Sequence, residues 1–307
     1  MPRALVTGSE GFLGRHLVAA LIAAGWQTYG LDRQPVVSPQ ALAAYHPLSL
    51  PSPAIDGVIE AAQPDAIIHA AGPALVGDSL TEPAADFQGS VGTLFSVLDA
   101  ARRLAPRCRV LFLSSAAVYG QPAGLPVNES TPHRPLSPYG YHKSLCEQLL
   151  GEYHAVYALP TAALRLFSAY GPGLRRQVMW DICRKALASE EIELFGTGDE
   201  TRDFVHAADA ARAAVRTLER APFEAEAYNV ASGEATRISD LARLIIAALG
   251  RGTRLRFTGQ ARPGDPQRWQ ADLARIRALG YAPSIPLADG VQDYAHWAMT
   301  DLAPTDR

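Results

Sequence analysis

The chain has 307 residues, of which 48% are hydrophobic and 19% charged, and this composition is typical of a well-buried globular protein. Its formal net charge is -3, and the absence of a dense Lys/Arg stripe excludes nucleic acid as an expected partner. The first residues do not resemble a cleavable leader, and no uncharged apolar run approaches membrane-spanning length. We therefore expect a cytoplasmic protein that does not bind a membrane.

Three cysteines, Cys108, Cys146 and Cys183, are widely spaced along the chain. They form neither a Cys-x-x-Cys pair nor a Cys/His ligand pattern. We therefore expect reduced thiols and no metal site.

The first half of the chain alternates β-rich runs with stretches of helical periodicity. The predicted strands are Arg3–Thr7, Gln27–Leu31, Ala66–His69, Arg109–Leu113 and Thr161–Leu166. The predicted helices are Phe12–Ala24, Ile55–Ala62, Pro83–Leu104 and Tyr139–Tyr157. This alternation predicts an α/β fold with a doubly wound parallel (Rossmann) sheet, on which ligands bind beyond the carboxyl ends of the strands.

The turn from the first strand into the first helix contains three glycines, Gly8, Gly11 and Gly14. Glycines at this point permit a tight turn and bring a diphosphate close to the free N–H groups of the helix. Asp32 closes the second strand, where a carboxylate could accept both hydroxyls of an adenosine ribose and would repel a 2′-phosphate. We therefore predict NAD, although the adjacent Arg33 keeps NADP open. A purely structural turn with incidental glycines is the alternative.

Tyr139 and Lys143 lie four residues apart, so a helix would place them on one face. A phenol is a poor base at neutral pH, and a nearby ammonium stabilises its ionised form. Ser115 ends a predicted strand and could hydrogen-bond the same substrate oxygen. These three side chains are the candidate catalytic residues, and an exposed helix pair is the alternative interpretation.

After Leu166 the alternation stops, and loops rich in Gly, Pro and Arg separate shorter elements. This part predicts a smaller C-terminal α/β lid that binds substrate. We assign residues 1–166 and about 203–232 to the dinucleotide-binding domain. Residues from about 167 to 202 and from 233 to 300 form the substrate-binding domain, and 301–307 form a tail.

Nine segments together resemble the extended short-chain dehydrogenase/reductase family, in its sugar-nucleotide epimerase/dehydratase branch. They include TGSEGFLG at Thr7–Gly14, HAAG at His69–Gly72, SSAAVYG at Ser114–Gly120, SPYGYHK at Ser137–Lys143 and the later FGTGDETRDFVH and ARPGD. The resemblance implies a homodimer and a nucleotide-diphosphate sugar as substrate. It also implies that Tyr139 is the base, that Lys143 binds the nicotinamide ribose and that Ser115 assists.

The resemblance completes the two sets of predicted binding residues. Expected cofactor contacts are Gly8, Gly11, Phe12, Leu13, Gly14, Asp32, Arg33, Ala70, Ala71, Gly72, Tyr139 and Lys143. Expected substrate contacts are Ser79, Ser115, Ser168, Arg202, Arg262, Asp265 and Trp269, with the two arginines on the diphosphate. An arginine can bind two phosphate oxygens at once. Ser168 stands where relatives commonly have asparagine.

The reaction is predicted from the residues that follow Ser115. Relatives that eliminate water carry an Asp-Glu pair there, whereas this chain has Ala116 and Ala117. Alanine cannot move a proton, so we predict a 4-epimerase, which needs only transient oxidation at C4. The alternatives are an NAD(P)H-dependent 4-keto-sugar reductase, a 4,6-dehydratase-type enzyme and a catalytically silent NAD-binding regulator.

Trp269 follows the ARPGD segment, at a position where the resemblance implies that bulk limits the C2 substituent of the sugar. We therefore predict a preference for a plain hexose or a uronic acid over an N-acetylated sugar. The alternative is a tryptophan that simply packs in the lid core.

Overall fold

The computed structural model describes residues 1–35, 41–260 and 266–302. The strands are β1 Arg3–Thr7, β2 Gln27–Asp32, β3 Ala44–Pro47, β4 Ala66–His69, β5 Arg109–Ser115, β6 Thr161–Leu166, β7 Ser168–Tyr170, β8 Glu191–Leu194, β9 Thr201–His206, β10 Glu224–Val230, β11 Ala235–Arg237 and β12 Arg254–Phe257. The helices are α1 Phe12–Ala23, α2 Ile55–Ala62, α3 Val76–Thr81, α4 Pro83–Phe87, α5 Thr93–Leu104, α6 Pro138–Tyr157, α7 Gln177–Ala188, α8 Ala207–Arg220, α9 Ile238–Ala248, α10 Ala274–Ala278 and α11 Leu287–Asp301.

Seven parallel strands form the main sheet in the order β10-β6-β5-β4-β1-β2-β3. Apolar runs such as Ala66–His69 are buried on both faces because helices cover the two sides of the sheet. The strand order reverses between β1 and β4, and this reversal opens a crevice at the carboxyl ends of the strands. The predicted doubly wound parallel sheet is confirmed.

Three apolar cores hold the layers together. One lies between the sheet and α1 with α8, and it contains Leu17 and Leu218. The second lies on the opposite face, under α2, α5 and α6, and it contains Ile59 and Val97. The third joins α7, α9 and α11 around Leu241, away from the large sheet. Burial of these apolar side chains contributes about 25 cal/mol per Å² of surface removed from water.

Two details of the first half differ from the sequence-based prediction. The sequence pattern missed β3, a short edge strand that ends at Pro47, because proline interrupts the usual strand pattern and is tolerated chiefly at sheet edges. The single helix predicted over Pro83–Leu104 is divided into α4, a π-helical turn at Gln88–Gly92, and α5. Two glycines in this turn lower helix propensity, and a Cβ on Gly89 would lie 2.8 Å from the Pro73 ring.

The C-terminal part forms a mixed sheet, β11-β9-β7, and a parallel pair, β12-β8. Between them the chain returns to the main sheet through α8 and β10, which pairs with β6. The division into two domains and the homodimer stay predictions; Phe95 of α5 and Tyr141 and Tyr157 of α6 are exposed on the helices expected at a dimer interface. Among the described residues, no helix combines the length and apolarity needed to cross a bilayer.

Candidate active site

The turn between β1 and α1 lies directly against the end of β4. Gly8 has a φ of +73°, and a Cβ there would lie 2.7 Å from the backbone nitrogen of Ala71. A Cβ on Gly14 would lie 1.9 Å from the carbonyl oxygen of Gly8, so only glycine lets α1 begin this close to the turn. Gly11 has no side chain with which to cap α1, so the first N–H groups of the helix can bind an anion. The turn therefore fits the diphosphate of a dinucleotide.

Asp32 ends β2 beside this turn. Its side chain is buried, and its carboxylate oxygens accept hydrogen bonds from the backbone N–H groups of Glu10 (3.0 Å) and Gln34 (3.1 Å). These two bonds orient the carboxylate, and its remaining lone pairs can accept ribose hydroxyls. Arg33 is exposed beside it.

A cavity of about 1460 Å³ extends from the glycine turn to the C-terminal part of the chain. It is lined by the whole predicted cofactor set: Gly8, Gly11, Phe12, Leu13, Gly14, Asp32, Arg33, Ala70, Ala71, Gly72, Tyr139 and Lys143. Ser115, Ser168, Arg202 and Trp269 line it as well. Residues that are separated by up to 261 positions in the sequence, Gly8 to Trp269, therefore share one space.

Tyr139 and Lys143 lie on the cavity-facing side of α6. The ammonium of Lys143 is buried, donates a hydrogen bond to the carbonyl oxygen of Leu113 at 3.0 Å, and lies 5.7 Å from the centre of the Tyr139 ring. Ser115 ends β5, and its hydroxyl oxygen accepts a hydrogen bond from the backbone N–H of Ala117 at 3.2 Å. The ammonium of Lys143 can therefore hold a positive charge near the Tyr139 phenol, in the cavity that includes the glycine turn.

His69 lies close to this lysine and is completely buried. Burial, with a further contribution from the charge of Lys143, lowers the pKa of His69 to about 3. Its ring nitrogens are within hydrogen-bonding distance of the hydroxyls of Thr7 (2.8 Å) and Thr93 (3.4 Å). The imidazole is therefore neutral at physiological pH, so it does not add a second positive charge beside the lysine.

Two small residues set the position of Tyr139. A Cβ on Gly140 would lie 2.7 Å from the carbonyl oxygen of Ala117, so glycine lets α6 pack against the turn that follows β5. The hydroxyl of Ser79 accepts a hydrogen bond from the backbone N–H of Tyr139 at 3.1 Å and donates one to the carbonyl of Val76 at 2.7 Å. Ser79 is fully buried and does not line the cavity. The structure therefore places this hydroxyl on backbone groups outside the cavity lining, and its contact with substrate stays a prediction.

A buried ion pair behind the cavity was not found from the sequence. Arg165 of β6 donates hydrogen bonds to both carboxylate oxygens of Glu147 on α6, at 2.7 to 3.1 Å, and to the hydroxyl of Tyr119 at 2.8 Å. Ser114, adjacent to Ser115, also bonds to Glu147. This network joins β5 and β6 to α6 one turn after Lys143. A charged residue inside an otherwise apolar strand was the signal available in the sequence.

The far end of the cavity contains the predicted substrate side chains. Trp269 donates a hydrogen bond from its indole nitrogen to the carbonyl of Gly120 at 3.1 Å, and the guanidinium of Arg202 lies 5.7 Å from the ring centre. Ser168, on β7, is partly exposed to the cavity. The predicted ligands Arg262 and Asp265 lie outside the described residues. In the part of the chain that is described, no cluster of three or more His, Cys, Asp or Glu side chains could hold a metal ion.

An α/β fold that brings a Tyr–Lys pair to the end of a dinucleotide-binding turn defines a nicotinamide-dependent enzyme. The sequence model of the NAD dependent epimerase/dehydratase family matches residues 4–231. The chain belongs to this family, and NAD is its cofactor. Both the predicted family and the predicted cofactor are confirmed.

Similar proteins cover nearly the whole chain. A UDP-glucose 4-epimerase of Mycolicibacterium smegmatis is 30% identical over 94% of this chain and 96% of its own length. A dTDP-4-dehydro-6-deoxy-D-allose reductase of Streptomyces is 31% identical over 95% of both chains. The solved structure of MoeE5 in complex with UDP-glucuronic acid and NAD is 28% identical, with a TM-score of 0.90 over 98% of this chain and all of that one.

Proposed function

We propose that this enzyme is a 4-epimerase of a UDP-linked sugar. The observation that carries the proposal is the segment after β5, where Ser115 lines the same cavity as Tyr139 and is followed by Ala116 and Ala117. Elimination of water from the sugar would need acid and base groups at this point, and alanine supplies neither. Epimerisation needs only one proton acceptor and one reversible oxidation. The 4-epimerases among the similar proteins support the same reaction.

In the proposed reaction Tyr139 takes the proton from the C4 hydroxyl of the sugar and later returns it. NAD, which the glycine turn and Asp32 would hold, would supply reversible acceptance of a hydride at C4, and the hydride would return to the opposite face of the sugar. Lys143 stabilises the phenolate from its position against the Leu113 carbonyl. Ser115 hydrogen-bonds the oxygen that becomes the carbonyl. Because hydride and proton are both returned, the reaction leaves no net oxidation.

A 4-keto-sugar reductase is the second candidate, because a reductase is as similar to this chain as the epimerases are. The two reactions differ in their use of cofactor. A reductase oxidises one NAD(P)H for each product molecule, whereas an epimerase regenerates its cofactor in every cycle. The Tyr–Lys pair and Ser115 also argue against a silent regulator, which would not need them.

We expect purified enzyme with NAD to convert a UDP-hexose into its 4-epimer, detected by proton NMR, with no net change in absorbance at the NADH band. The panel should contain UDP-, GDP- and dTDP-sugars, each with and without added NADPH. Product that forms only when NADPH is added and consumed in equal amount would instead identify the reductase.

The position of Trp269 predicts which sugars enter the site. Its indole is held by Gly120 and packs against Phe167 at 5.7 Å, so it cannot move easily to admit an acetamido group at C2. We expect slower turnover of UDP-N-acetylglucosamine than of UDP-glucose. Replacement of Trp269 by Ser should raise kcat/KM for UDP-N-acetylglucosamine, relative to kcat/KM for UDP-glucose, by about tenfold. Trp269→Phe keeps the bulk of the side chain and should change this ratio little. Faster turnover of the acetylated sugar by the unmodified enzyme would contradict this assignment.

A further inference from the structure

One arginine of the cavity has no carboxylate partner in the described part of the chain. Arg176 directly precedes α7, lines the cavity and is half-buried. Its Nε atom is buried and has no hydrogen-bond partner among the described residues. The next residue, Gln177, has a φ of +65°, a left-handed conformation that is unfavourable for a residue with a side chain. Backbone strain of this kind is enriched at sites where a functional side chain must be positioned.

Neighbouring arginines on the same segment differ from Arg176. Arg175 forms an ion pair with Asp301, with its Nε 2.7 Å from a carboxylate oxygen, and its guanidinium lies 5.7 Å from the Trp297 ring centre. Arg184 forms an ion pair with Asp181 at 3.2 Å. Within the described ranges, no carboxylate lies within the 4.0 Å of an ion pair from Arg176. Its charge is therefore available to a ligand.

Arg176 lines the same cavity as Tyr139 and Asp78. The two groups that act on its charge are the Tyr139 hydroxyl and the carboxylate of Asp78, both on residues that line the cavity. The buried Nε shows that part of the guanidinium is withdrawn from water, and this burial lowers the pKa of Arg176. A withdrawn cation is stabilised by an anion that reaches it from the cavity.

The shape of a hexopyranose restricts which anionic group of the substrate can reach Arg176. When Tyr139 contacts the oxygen on C4, the neighbouring substituents are those of C3 and C5, and C6 is attached to C5. The diphosphate is attached to C1, at the opposite end of the ring, and its predicted ligand is Arg202, which lies beside Trp269. The anionic group that a hexose can present near Tyr139 is therefore a C6 carboxylate, which a guanidinium can bind through two hydrogen bonds.

We propose that Arg176 binds the C6 carboxylate of the substrate, so that the preferred substrate is a UDP-linked hexuronic acid. This inference rests on the proposed function, because it takes Tyr139 as the group that contacts C4. It adds a specificity residue to that site.

The experiment measures binding of UDP-glucuronic acid, UDP-glucose and UDP to the full-length NAD-loaded enzyme by isothermal titration calorimetry. We expect UDP-glucuronic acid to bind at least about 10-fold tighter than UDP-glucose. Arg176→Met should remove this preference, with a loss of about 10- to 100-fold for the uronic acid. Arg176→Lys should retain part of it, and the matched control Arg184→Met should leave the ratio unchanged. Circular dichroism of each variant checks folding.

Equal affinities of the unmodified enzyme for the two sugars would overturn the inference. So would an Arg176→Met variant that loses affinity equally for UDP-glucuronic acid, UDP-glucose and UDP, because this result would place the guanidinium on the diphosphate. NMR of the products separates the two proposals. If the uronic acid binds tightly through Arg176 but no 4-epimer forms, the proposed function fails while the carboxylate assignment stands.

Discussion

Replacement of Tyr139 by Phe is expected to lower kcat for epimerisation by about 10²- to 10⁴-fold, the usual contribution of a positioned proton acceptor. Phenylalanine keeps the ring and its packing but cannot accept the C4 hydroxyl proton. The backbone N–H of this residue would still donate to Ser79, so α6 should keep its position. NAD should remain bound, which fluorescence titration with the cofactor can measure.

Tyr141 provides the matched control for this variant. It lies two residues further along α6, and 58% of its surface is exposed. Tyr141→Phe removes the same hydroxyl from the same helix, at a position outside the cavity lining, and should leave kcat within about twofold. If Tyr139→Phe behaves like Tyr141→Phe, another group accepts the proton and the catalytic assignment is wrong.

The second large effect concerns stability. Glu147→Ala is expected to lower the free energy of unfolding by about 3 to 5 kcal/mol, because it leaves the buried guanidinium of Arg165 without its carboxylate. The whole fold is worth only about 5 to 15 kcal/mol. Urea unfolding followed by circular dichroism gives this free energy directly.

Two further variants separate loss of the ion pair from loss of packing. Glu152→Ala, on an exposed position of the same helix, should change the free energy of unfolding by less than about 0.5 kcal/mol. Glu147→Met combined with Arg165→Met removes both charges and should recover much of the stability lost in Glu147→Ala. A double variant that is less stable than Glu147→Ala would show that the arginine is stabilised mainly by Tyr119 and the Glu129 carbonyl.

Local sequence patterns were sufficient for most of the large sheet. Helix Ile55–Ala62 and strand Thr161–Leu166 match the prediction at both ends, since periodicity and flanking residues act within each element. The short strand ending at Pro47 and the π-helical turn at Gln88–Gly92 were missed. Both depend on neighbours, an edge position in one case and the Pro73 ring in the other, that a local pattern does not contain.

The sequence by itself indicated the cofactor and the pairing of Tyr139 with Lys143, because turn chemistry and helical spacing depend on residues close together in the chain. The family followed from the resemblance of nine segments to known members. Only the tertiary structure decided what distant side chains do. It placed the Ser79 hydroxyl on a backbone N–H and paired Arg165 with Glu147. It also left Arg176 at the cavity with no carboxylate partner among the residues that the structure describes. Whether a buried polar group finds a partner depends on which elements pack against it. The distance between two residues along the sequence does not show whether their elements pack together.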